Sequence, residues 1–157
     1  MEPLYKKILV PIDESETSQL GLQEALRIAK NQHASIRLVH VVHDFLVAAG
    51  QGGALYASQL RKDLRSCGEQ ILKSAASLAR DQQVDSETVL LETPAGSVGA
   101  MIVEDAERWS ADLIVLGTHG RRGIHRLVMG SDAEHVVRTT SVPVLLVRST
   151  AKSVSQR

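Results

Sequence analysis

Leu113-Ile114-Val115-Leu116-Gly117 is a run of four aliphatic residues closed by a glycine. No polar residue alternates with them, so both faces of the segment must be covered. That is the pattern of a strand inside a parallel sheet. Four further runs share it: Ile8-Leu9-Val10-Pro11-Ile12, Ile36-Arg37-Leu38-Val39-His40-Val41-Val42, a weaker Thr88-Val89-Leu90-Leu91, and Val142-Pro143-Val144-Leu145-Leu146-Val147. Helical spacing fills the intervals. Leu22, Ala25, Leu26 and Ala29 mark one helix; Leu60, Leu64, Cys67, Ile71, Ala75 and Leu78 a longer one. Val98, Ile102, Ala106 and Trp109 mark a third, and Ala133, Val136, Val137 and Thr140 a short fourth. Asp13 with Glu16, and Ser131 with Glu134, have capping-box spacing, which makes Asp13 and Ser131 the expected N-caps. The resulting β-α-β-α-β-α-β-α-β order forces parallel strands and right-handed crossovers. The predicted fold is α/β, a doubly wound five-stranded parallel sheet with helices on both faces.

The chain has 157 residues, enough for one domain with a sizeable core. We expect a single domain over residues 1–149 and a flexible tail over 150–157. Residues 43–56 read as the longest irregular connection. Lys+Arg and Asp+Glu are both 18. Zero formal charge excludes a polybasic nucleic-acid binder, so any anion site must be local. Only Tyr5, Phe45, Tyr56 and Trp109 are aromatic, too few to stack single-stranded bases. The single cysteine, Cys67, excludes an intrachain disulfide and suits a reducing compartment. There is no signal-peptide pattern and no apolar run of about 20 residues. The expectation is a soluble cytoplasmic protein with neither nucleic acid nor membrane as partner.

Ligands of open α/β sheets bind outside the carboxyl ends of the strands, where strand order reverses. Two segments occupy such ends. Pro11-Ile12-Asp13-Glu14-Ser15 follows the first strand. Gly117-Thr118-His119-Gly120-Arg121-Arg122-Gly123 follows the fourth and runs on to Gly130-Ser131. Residues 113–131 hold three arginines (Arg121, Arg122, Arg126) and no acid. Glycines admit an anion close to backbone N–H groups, and a helix start adds unpaired N–H groups and a positive dipole end. A polyphosphate fits this chemistry. The segment is neither a Walker A loop nor a G-x-G-x-x-G fingerprint.

The spacing Gly117-x2-Gly120-x9-Gly130-Ser131 resembles the nucleotide-binding signature of the universal stress protein family. The segments Val10-Pro11-Ile12-Asp13 and Val142-Pro143-Val144-Leu145-Leu146-Val147 resemble its first and last strands, and the likeness covers about residues 5–148. The resemblance implies sheet order 3-2-1-4-5 and membership of the ATP-binding branch. It implies that Pro11, Ile12 and Val41 line adenine and that Asp13 accepts from ribose hydroxyls. It assigns ribose and phosphates to Gly117, Gly120, Gly130 and Ser131. Arg121 and Gly123 extend that loop. ATP with Mg²⁺ is the implied ligand. A homodimer is implied through antiparallel pairing of the last strand, with Val142, Val144, Leu145, Leu146 and Val147 at the interface. Asp132 would repel phosphate unless it turns outward or helps to hold Mg²⁺.

The implied role is a nucleotide-linked regulator in stress response, with slow ATP hydrolysis at most. No catalytic residue is assigned, because no nucleophile–base set has a workable spacing. One alternative is a weak ATPase or adenylating enzyme of the same superfamily. Adenylating relatives carry a different loop after the first strand. Another is a nucleotide-independent dimeric interaction protein, which the intact glycine spacing opposes. Bland readings stand beside each site residue: turn glycines at positive φ, Asp13 as a helix cap, the arginines as a solvated loop. His40 and His43 read as packed or surface side chains. His119 and His125 lie in the loop without a nucleophile to serve. Cys67 reads as part of the core.

Overall fold

The computed structural model describes residues 2–44, 53–93, 96–118 and 129–149. Its elements run β1 (Lys7–Pro11), α1 (Glu16–Gln32), β2 (Ser35–His43), α2 (Ala54–Asp81), β3 (Ser86–Thr93), α3 (Val98–Trp109), β4 (Leu113–Gly117), α4 (Ser131–Thr139) and β5 (Val144–Val147). The five strands form one sheet in the order β3-β2-β1-β4-β5, with every pair parallel. Fold class and strand order are as expected.

The period of two in each strand divides the core into two layers. Ile8 and Val10 of β1, Ile36 and Leu38 of β2, and Leu113 and Val115 of β4 meet α1 and α2. Their neighbours Leu9, Val39, Ile114 and Leu116 meet Ile102 and Ala106 of α3 and Ala133 and Val136 of α4. Burying such an aliphatic side chain stabilises by about 1.5–3 kcal/mol. The layers differ in closure. Helices α3 and α4 pack along one another, whereas α1 and α2 each pack on the sheet and scarcely touch.

Local signals set the boundaries. Ser97 caps α3, its hydroxyl accepting from the Ala100 N–H at 3.3 Å. Helices α1 and α3 end on His33 and Ser110 in the left-handed region, at φ 54 and 58. Several boundaries depart from expectation. Strand β3 extends over eight residues, paired with β2 along its length; the polar residues of this half-exposed edge hid its ends in the sequence. Helix α2 begins at Ala54, inside the stretch read as irregular. Strand β5 begins only at Val144. Val142 lies ahead of it, its N–H donating to Thr140 Oγ1 at 3.0 Å, and its side chain joins the α3/α4 layer.

At the amino ends of the strands, Asp112 accepts from the Lys6 and Lys7 N–H groups at 2.9 and 3.0 Å, joining β1 to β4. Arg37 of β2 reaches the buried Asp105 of α3 at 3.2 Å. Lys7 Nζ and Arg37 Cζ stand over the Trp109 ring, 5.3 and 4.9 Å from its centre. This network secures the end of the sheet opposite the candidate site.

Candidate functional site

Strand order reverses between β1 and β4, so the switch point of the sheet lies at their carboxyl ends. On the β1 side, the Ile12 N–H donates to Val39 O at 2.7 Å, carrying the ladder one residue past the strand. His40 Nδ1 lies 2.7 Å from Ile12 O. A carbonyl can only accept, so Nδ1 bears the proton. Both polar groups flanking Ile12 are thereby tied to β2. The next residue, Asp13, donates its N–H to Ser18 Oγ at 2.9 Å. Its Oδ1 accepts from the Ser15 N–H at 2.7 Å. Its Oδ2 has no hydrogen-bond partner among the described residues.

Asp13 is not the N-cap of α1. Ser15 is, its hydroxyl accepting from the Ser18 N–H at 3.1 Å. The chain needs Glu14 and Ser15 to climb from strand to helix, so the Asp13 carboxylate closes an Asx turn before the helix begins. One oxygen shapes the turn and the other faces away from that task.

On the β4 side, Gly117 ends the strand. A Cβ there would stand 2.6 Å from the Thr17 carbonyl carbon, so α1 and β4 meet through the missing side chain. Thr118 is buried; its N–H donates to Val147 O at 3.0 Å and its carbonyl accepts from the Gly130 N–H at 2.7 Å. That bond brings the start of α4 back to the end of β4. Gly130, at φ −61 and ψ 151, is the N-cap of α4 and offers no side-chain cap. The expected N-cap, Ser131, is instead the first helical residue and is exposed. The reason is the Gly130–Thr118 bond, which fixes the cap one residue earlier. Asp132 is also exposed.

The expected site residues thus separate into groups. Asp13, Gly117, Gly130 and Ser131 collect around the carboxyl ends of β1 and β4. Pro11 ends β1. Val41 is half-buried in the α3/α4 layer, whereas the Ile12 side chain belongs to the α1/α2 layer. Gly120, Arg121 and Gly123 lie outside the described residues, as do His119, Arg122, His125, Arg126 and the tail from residue 150.

A cleft of about 370 Å³ opens where α1 and α2 fail to meet; Ile12 and Asp13 lie at its wall, and Cys67 lines it. Cys67 is therefore a half-buried cleft residue rather than a core one. Away from the site, the Arg27 guanidinium holds the Glu24 carboxyl below its usual range through their hydrogen bonds. Among the described residues, no three His, Cys, Asp or Glu side chains gather to hold a metal ion. No described helix is long and apolar enough to cross a membrane. Spacing alone did not indicate Ser15, Ser18, Thr118 or the bond made by His40. Each depends on strand register or a turn that only the folded chain brings together.

Sheet order and two helical layers define a doubly wound α/β protein whose switch point lies between β1 and β4. The universal stress protein family model matches residues 4–148, and the chain belongs to that family. It is 37% identical over 153 residues to the universal stress protein MJ0531 of Methanocaldococcus jannaschii, covering 96% of this chain and 86% of that one. The solved structure of the hypothetical protein MJ0577 matches with a TM-score of 0.83 at 23% identity, over 94% of this chain and 99% of that one. A universal stress protein solved in complex with cAMP matches with a TM-score of 0.63 at 26% identity, over 92% of this chain and 97% of that one.

Proposed function

We propose that the chain binds an adenine nucleotide, ATP with Mg²⁺, at the carboxyl ends of β1 and β4, and acts as a cytoplasmic nucleotide-linked regulator in stress response. The observation that carries this reading is Gly130. Its φ of −61 is open to any residue, so backbone strain does not call for glycine there. What glycine lacks is a side chain to cap the N–H groups of α4, whose first turn has no side-chain cap. A phosphate fits that position in charge and geometry. The cAMP complex of a family relative supports an adenine nucleotide as the ligand class.

In this reading the Asp13 Oδ2 accepts from the ribose hydroxyls while Oδ1 keeps the turn. Pro11, Val41 and the Ile12 backbone flank the base. Gly117 and Ser131 border the phosphate path, which Gly120, Arg121 and Gly123 complete. Asp132 is exposed, and in this reading it turns outward or helps to hold Mg²⁺. The role is binding rather than turnover. Two chains associate through β5, with Val142, Val144, Leu145, Leu146 and Val147 at the interface.

Denaturing the purified protein and analysing what it releases tests the reading, with calorimetric titration of ATP and AMP beside it. ATP or ADP near one per chain is expected. Empty protein that binds neither nucleotide overturns it. The variant Gly130→Asn refines the test. Asparagine is among the best N-caps and occupies with its own oxygen the N–H groups left for phosphate. It should leave thermal stability equal or higher and weaken ATP at least tenfold. Unchanged affinity would place the phosphates elsewhere.

A further inference from the structure

We propose that His40 is a positioning residue for the nucleotide site: through Ile12 it sets the direction in which Asp13 presents its carboxylate. This rests on the nucleotide reading above and extends it to a buried group that touches no ligand. His40 is 8% exposed on β2. Its Nδ1–H donates to Ile12 O at 2.7 Å, and the Ile12 N–H donates to Val39 O at 2.7 Å. Ile12 therefore has β2 on both its polar groups, although β1 has already ended at Pro11. The peptide joining Ile12 to Asp13 is a planar unit. Fixing its carbonyl fixes the Asp13 N–H on the opposite edge, and that N–H meets Ser18 Oγ at 2.9 Å. The Asp13 side chain inherits the orientation.

The surroundings hold His40 in this pose. Helix α2 crosses it at Gly68, where a Cβ would stand 2.7 Å from His40 Cδ2. A glycine inside a helix costs about 1 kcal/mol against alanine. Here the missing side chain is the space the imidazole occupies. An apolar residue of similar size would fill that space and leave the Ile12 carbonyl without its donor. The bond, rather than the bulk, is the specific contribution.

Variants that separate bulk from bond provide the test. His40→Leu keeps the volume and removes the donor. His40→Asn places an amide N–H near the Nδ1 position, whereas His40→Gln places it near Nε2. Nucleotide affinity is measured by calorimetry, and fold by circular dichroism and amide spectra. The expected result is a tenfold or greater loss of ATP affinity in His40→Leu and His40→Gln, with affinity recovered in His40→Asn. In an Asp13→Ala background, His40→Leu should cause no further loss, because the carboxylate it orients is gone. Long-range ¹H–¹⁵N spectra of the unmodified protein should show the His40 proton on Nδ1. Folded His40→Leu with undiminished affinity overturns the proposal, as does equal recovery by Asn and Gln. If His40→Leu does not fold, the comparison of Asn with Gln decides. Failure of the unmodified protein to bind ATP or AMP would instead overturn the nucleotide reading itself.

Discussion

A Cβ on Gly117 would meet the Thr17 carbonyl carbon at 2.6 Å, while Gly130 has an ordinary extended backbone at the cap of α4. The two glycines share one motif and answer to different physics. Gly117 serves the packing of α1 on β4. Its contact is with backbone, which cannot turn away as a side chain can. Gly117→Ala should therefore destabilise by about 1–3 kcal/mol. Urea unfolding should show a lower midpoint with an unchanged slope; an unmoved midpoint would mean that α1 slides at no cost. The site was legible at this scale where chemistry is local. The position of Asp13 after the first strand pointed to the switch point. Its turn and the true cap Ser15 were not legible, because Asp and Ser are both good caps and only the geometry of the climb to α1 chooses between them.

Helix α2 shows where element reading succeeds and where it stops. Gly68, Leu72, Ala75 and Ala79 are buried; the stripe read from the sequence (Leu60, Leu64, Cys67, Ile71, Ala75 and Leu78) found the helix but not this face, since only Ala75 is shared and Leu78 is exposed. The first turns carry Leu55 and Tyr56 into solvent, so no stripe marked where the helix begins. Strands β1, β2 and β4 were plain because burial on two faces keeps them mostly aliphatic, whereas the edge strand β3 keeps polar residues that blur the pattern. Propensity alone favours Gly68→Ala by about 1 kcal/mol. The new methyl would also stand 2.7 Å from both His40 Cδ2 and Leu90 Cδ1, and overpacking costs about 1–3 kcal/mol. We expect a net loss of stability in thermal unfolding and a parallel loss of ATP affinity. A gain in melting temperature would show that His40 has room to move.

Across the whole molecule the two layers are unequal. The α3/α4 side is closed by helix–helix packing, and the α1/α2 side is left with a cleft beside Asp13. The sheet has edges at β3 and β5. Edge β5 is four residues long, and Pro143, just before it, has no N–H to offer a neighbouring strand. All four of its residues are only half-buried in the single chain. Side chains so apolar, left at an open edge, favour association. Light scattering at micromolar concentration should report a dimer, and a lysine at Leu145 or Leu146, whichever faces the partner, should return it to monomer. Half-burial of Val144–Val147 has a further consequence for how the protein melts. If its last strand is fully covered only by a second chain, unfolding and dissociation are one equilibrium, and mass action enters. The melting temperature then climbs as protein is added, and a dilute sample is the less stable one.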